Sequence, residues 1–156
     1  WCTSWVTSLN FIWIFFIIII YKKMISPKII KIASYTKNSG LNNDFTHKTS
    51  VKNSLCGDKI KIELIANDKM VNSMRYETES CVLCEASASL VAKKIRNYPL
   101  KSLKKDIEKL KESIKKNESI YPSKFKEYRY FLTKDSNSRF KCVTLPLEGL
   151  LKAFKL

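Results

Sequence analysis

Histidine is almost absent: His47 stands alone in 156 residues. Chemistry built on paired histidine ligands, or on a histidine base within a triad, is therefore disfavoured. Glycine (3) and proline (4) are also scarce, which excludes a low-complexity chain. Acidic residues number 14 against 29 basic ones, leaving a net charge of +15. Residues 93–129 carry much of that excess, with thirteen Lys or Arg against five Asp or Glu. Such a balance suits nucleic acid, a membrane surface or an acidic protein, and a solvated helix face accounts for it equally well. The lysines lack the aromatic interleaving of a specific nucleic-acid binder, so no nucleic-acid partner is expected. No internal repeat is present.

Long apolar runs are confined to the start of the chain. Residues 11–20, FIWIFFIIII, are unbroken, yet 5–21 is barely long enough to span a membrane. No basic residue precedes the run and no small-residue cleavage site follows it, unlike a signal peptide. Lys22 and Lys23 after it would hold the body of the protein on the cytoplasmic side. Residues 1–23 are read as a hydrophobic extension: either an upstream read-in before a start at Met24 or a membrane anchor. A membrane partner is expected only if they are retained. Residues 24–156 form one expected domain, 45% hydrophobic content in the chain being enough for a core.

Within that body, residues 25–35 read as a short helix and 36–55 as a long polar loop containing His47. Residues 59–65 alternate strictly, with Ile60, Ile62 and Leu64 on one face, and predict a half-buried strand. Residues 70–77 alternate again, with Met70, Met74 and Tyr76 inward, which completes an antiparallel hairpin. Residues 82–98 have helical periodicity, ended by Pro99, and 101–117 give a second helix with Leu103, Ile107, Leu110 and Ile114 on one stripe. A third helical piece follows Pro122, with Phe125, Tyr128 and Leu132 inward. Residues 135–138 read as a turn, and a last helix starts after Thr144 as its N-cap. The fold class is α+β: a small antiparallel sheet packed against helices.

Five cysteines, an odd number in a chain that is not a small loop-rich scaffold, argue against a disulphide framework. Reduced thiols acting as ligands or nucleophiles fit better and point to a reducing compartment, the cytoplasm. Cys56 sits in LCGD, where Gly57 permits a turn that could bring Asp58 and the thiol to one point. Cys81 lies at the expected start of a helix, and Cys142 just before another. A helix N-terminus favours thiolate, the form that binds metal or attacks sulphur. Three thiolates and a carboxylate make a four-coordinate set suited to zinc or iron. The spacing alone leaves buried structural cysteines as an open alternative. Cys81 and Cys84 form a CxxC, but no βαβ context supports a redox pair, and Cys84 reads as a packing residue.

Three ordered segments resemble one family. NSLCGDKIKIEL is similar to its NPxCGD motif and following strand, SCVLCEASASLV to its GCxxSxASAS segment, and RFKCVTLPLEGLLKAF to its RxxCVTLPW-type ending. SYTKNSG adds a weaker match upstream. The family is the U-type iron–sulphur cluster assembly proteins (SufU, IscU and the N-terminal domain of NifU). The chain looks more like the SUF type: its stretch between Cys81 and Cys142 is long, and Lys141 stands where the ISC type has a histidine ligand. Ser54, Ser80, Cys84, Leu147 and Glu148 depart from the motifs without removing a ligand.

The resemblance implies that Cys56, Asp58, Cys81 and Cys142 hold zinc, or iron in a transient [2Fe–2S] cluster. It implies a cysteine desulphurase as sulphur donor, with Cys142 as the nucleophile that accepts the sulphur, and iron–sulphur carriers or apo-proteins downstream. A zinc-dependent sulphurtransferase-like acceptor and a non-enzymatic scaffold both remain open. The alternatives from other classes are a zinc-stabilised basic binding module without sulphur transfer and a membrane-anchored adaptor.

Overall fold

The computed structural model describes residues 25–132 and 136–156. The extension at 1–23 lies outside them, as does Asp135 of the expected turn. Among the described residues no helix is long and apolar enough to cross a membrane.

Helix α1 (Pro27–Ala33) opens with Ser26 as N-cap, its hydroxyl oxygen accepting the Lys28 N–H, and with proline in the first turn. Strands β1 (His47–Lys52), β2 (Lys59–Ala66) and β3 (Met70–Glu79) follow, then helix α2 (Val82–Lys94) and a two-residue strand β4 (Tyr98–Pro99). Helix α3 (Leu100–Lys116), a 3-10 segment (Ser123–Phe131) and helix α4 (Ser136–Ala153) complete the chain. The sheet has the order β1-β2-β3-β4, all antiparallel. The α+β class expected from the sequence is the one found.

The hairpin follows from alternation. Ile60, Ile62 and Leu64 of β2 meet Met74 and Tyr76 of β3 on one fully buried face, while Lys59–Glu79 and Lys61–Glu77 pair across the other. A register shift at Ile65/Ala66 reverses the parity at the start of β3. Val71 is therefore buried there, and Met70, expected inward, is only half-buried.

Four expectations need correction. The loop expected at 36–55 contains β1, because His47, Thr49 and Val51 alternate with outward residues and pair with β2. His47 is thus a strand residue, its ring 4.6 Å from that of Phe154. Helix α2 ends at Lys94 rather than 98: Asn97 takes a left-handed φ of 54°, and Tyr98 turns away to pair with Val71. Its burial is not one-sided either, since residues 86–92 are all buried among neighbouring elements. In the 3-10 segment Phe125, Tyr128 and Phe131 point inward, not Leu132, because its period is near three.

The fourth correction matters most. Helix α4 begins at Ser136, so 136–138 is helical and Thr144 lies mid-helix, its hydroxyl donating to the Phe140 carbonyl at 3.1 Å. Pro146 sits inside the helix and withholds the N–H that would bond the Cys142 carbonyl. Ser87 Oγ on α2 donates to the neighbouring Val143 carbonyl at 2.6 Å and pins this stretch to the core. Cys142 is consequently inside a helix, and the dipole argument made for its thiolate does not apply.

Helix α4 lies against β1 and β2. A Cβ at Gly149 would come within 2.7 Å of Ile62 Cδ1, so the absence of a side chain sets how closely helix and sheet approach.

Candidate metal centre

Three separate elements deliver the cysteines and the aspartate. The loop between β1 and β2 carries Cys56 and Asp58. Its turn is closed by Asn53 N–H to the Asp58 carbonyl (2.8 Å) and Gly57 N–H to the Asn53 carbonyl (2.9 Å). Gly57 has φ +78°, which a residue with a side chain rarely adopts. Cys81 is the N-cap residue of α2. Cys142 comes from α4.

The ligand atoms of Cys56, Asp58 and Cys142 all lie within 4.8 Å of one another. Cys56 Sγ and Cys142 Sγ are 3.4 Å apart. Cys81 falls just outside that trio but joins it through Asp58, whose Oδ1 accepts the Cys81 N–H at 3.0 Å and whose Oδ2 accepts its thiol at 3.4 Å. Three of the four residues singled out in the sequence thus share one point, and Cys81 is tied to it through Asp58. They differ in access: Cys56 is exposed, Cys81 half-buried, and Cys142 and Asp58 are buried.

Burial alone would raise the pKa of Asp58. Hydrogen bonds from the Cys56 and Cys142 thiols and from the Cys81 backbone outweigh it and hold the carboxyl below its ordinary value. The Cys142 thiol is pushed strongly up, first by burial, then by its bonds to Asp58 and Cys56 and by the charges nearby. Burial and the neighbouring Asp58 carboxylate thus create a conflict that disfavours a Cys142 thiolate. A dication removes that conflict, because it replaces the shared protons as the positive partner. Tetrahedral zinc with Zn–S of about 2.3 Å holds its sulphurs about 3.8 Å apart, close to the spacing of Cys56 and Cys142. The donor set therefore fits a thiophilic ion.

Cys84 is fully buried among apolar side chains, and burial pushes its thiol up to about 12. It packs in the core, as the reading of the CxxC expected, with Asp58 and Cys81 near enough for their charges to raise its thiol further. No disulphide links Cys56, Cys81, Cys84 or Cys142. Asn53, the first residue of the NSLCGD segment, was not singled out as a site residue. It is buried beside the sulphurs, with Nδ2 donating to Cys56 Sγ at 2.9 Å. An asparagine three residues before a cysteine, at the mouth of a tight turn, was the available signal.

The iron–sulphur cluster assembly scaffold protein IscU of Thermotoga maritima is 30% identical over 137 residues, 87% of this chain and 96% of its own length. A NifU-like protein (N-terminal) from Brucella abortus superposes with a TM-score of 0.76 at 20% identity, over 83% of this chain and 91% of that one. A putative iron–sulphur cluster assembly scaffold protein for the SUF system from Fervidobacterium islandicum gives 0.72 at 19% identity, over 82% and 94%. These two likenesses show the fold. The family model for the NifU-like N-terminal domain matches residues 24–124, a span that holds β1 to β4 and the loop of Cys56 and Asp58. With that match and the Thermotoga relative together, the chain belongs to the NifU-like N-terminal domain family.

Proposed function

We propose that this protein works in iron–sulphur cluster assembly, taking sulphur from a cysteine desulphurase and holding a nascent [2Fe–2S] cluster on Cys56, Asp58, Cys81 and Cys142. The observation that carries the reading is the meeting of Cys56, Asp58 and Cys142 within 4.8 Å, with Cys81 held against Asp58, at one surface-reaching point. The Thermotoga relative, described as an assembly scaffold, supports it.

Zinc, when bound by these four residues, supplies the positive charge that keeps the thiols deprotonated. The chain's own part is to present a thiolate to the persulphide of the donor. The thiolate attacks the outer sulphur, the donor's S–S bond breaks, the donor cysteine leaves as thiolate, and the persulphide is now on the acceptor. Electrons balance without an added reductant. Cys142 is the proposed acceptor, from the motif it occupies. The exposure of Cys56 favours a second reading, in which Cys56 receives the sulphur first. For a cluster as cargo, Asp58 is the weak ligand that keeps it transferable, since carboxylate binds iron–sulphur centres less well than thiolate.

Incubation with a cysteine desulphurase and radiolabelled cysteine tests the proposal. Label bound to the chain and released by dithiothreitol is expected. A chain that takes no label and assembles no cluster with iron and sulphide contradicts it.

A further inference from the structure

Asn53 is 7% exposed at the centre of the cluster, and none of the proposed ligand roles uses it. Its Oδ1 accepts the Leu55 N–H at 3.1 Å. A backbone N–H only donates, so that atom must be the oxygen and the other terminal atom the nitrogen. Nδ2 then donates to Cys56 Sγ at 2.9 Å and lies 4.0 Å from Cys142 Sγ. Its backbone closes the turn at both ends, through the Asp58 carbonyl and the Gly57 N–H. One residue therefore shapes the 53–58 loop and turns its free amide protons onto two sulphurs from different elements.

We infer that Asn53 is a positioning residue of the centre, whose side-chain amide holds the Cys56 and Cys142 sulphurs convergent and stabilises the charge they carry as ligands. The inference rests on the reading of the cluster as a metal centre. Two physical effects support it. An N–H aimed at a thiolate offsets part of the repulsion between two sulphurs 3.4 Å apart. It also fixes the direction of Cys56, the most exposed member, before any ion arrives. Groups that orient metal ligands in this way typically contribute 10- to 100-fold in affinity, by order of magnitude.

The test uses the full chain, wild type and Asn53→Ser, with zinc affinity from competition against a chromophoric chelator and absorption spectra of the cobalt(II) forms. Serine can still accept the Leu55 N–H and keep the turn, but its hydroxyl stops short of the sulphurs. Zinc binding is expected to weaken about tenfold or more. The sulphur-to-cobalt charge-transfer band should move to lower energy, because a thiolate that loses a hydrogen bond gives up electrons more readily. The ligand-field bands should stay in place.

Unchanged affinity with an unmoved charge-transfer band overturns the inference, and so does collapse of the ligand-field bands, which would make Asn53 a part of the loop's shape only. Should the serine variant fail to fold, the wild type loaded with cadmium-113 decides. Through-bond coupling between the metal and the Asn53 side-chain amide protons is expected, and its absence overturns the inference. A wild type that binds neither zinc nor cobalt removes the metal centre itself, an outcome distinct from an unaffected variant.

Discussion

Cys56 Sγ lies 3.4 Å from Cys142 Sγ, although 86 residues separate them in the chain. The contact joins the β1–β2 loop to helix α4 and places an exposed thiol over a buried one. Mild oxidation of the metal-free chain should therefore link Cys56 to Cys142 in preference to the CxxC pair, whose Cys84 is sealed in the core. Peptide mapping after diamide treatment reads this directly. Zinc loading should suppress the link. A Cys81–Cys84 product would contradict the placement of Cys84.

Sulphur transfer separates the cysteines by role. Cys142→Ser should abolish desulphurase-stimulated sulphur uptake while leaving the far-ultraviolet circular dichroism unchanged, since serine is nearly isosteric. Cys84→Ser should retain most uptake, because Cys84 is fully buried in the core. Loss in Cys84→Ser equal to that in Cys142→Ser would show that the CxxC takes part. Loss in Cys56→Ser with retention in Cys142→Ser would move the acceptor to Cys56.

Glu63 makes a prediction about acid stability. It is 1% exposed on the back of the sheet, where its Oε2 accepts the Asn42 and Asn43 N–H groups, each at 3.1 Å, and its Oε1 faces Lys48 Nζ at 3.1 Å. Burial opposes ionisation, but Lys48 and the two N–H groups win, and the folded pKa lies below the ordinary 4.5. A depressed carboxylate stabilises the fold above its unfolded pKa, and that contribution is lost as pH falls through the folded value. Wild type should lose stability as pH drops below about 4.5, and Glu63→Gln should flatten that slope while costing about 1–3 kcal/mol at neutral pH. Urea unfolding across pH measures both. An equal slope in the variant would contradict the assignment.

Much of the fold was legible because its signals are local. Ile60, Ile62 and Leu64 alternate without interruption, and Leu103, Ile107, Leu110 and Ile114 recur at helical spacing, so strand and helix followed from period alone. Strand β1 was hidden because one face is only half-buried, the other is exposed, and its sequence, HKTSVK, is polar. The start of α4 was misplaced because Pro146 resembles an early-helix proline. The structure instead runs the helix through it, with Ser87 bonded to the Val143 carbonyl.

The site divides in the same way. Cys56, Cys81, Cys142 and Asp58 were named from motifs; three of them meet at one point, and Cys81 is tied to it through Asp58. Their separations in sequence could not show that they meet, since the packing of α4 against α2, β1 and β2 brings Cys142 to the loop. Asn53 was not singled out because its role depends on a side-chain direction, which a sequence does not display. Of the two cysteines expected at helix starts, only Cys81 occupies one.

X-ray absorption at the zinc edge, on the full chain purified without oxygen and reloaded with zinc, tests the central claim most directly. The account predicts about one tightly bound ion with three sulphur donors and one oxygen donor, the sulphur number falling by one in each of Cys56→Ser, Cys81→Ser and Cys142→Ser, and the oxygen lost or replaced by water in Asp58→Ala. A wild type that binds no zinc, or one whose donor set survives unchanged in those variants, would contradict it.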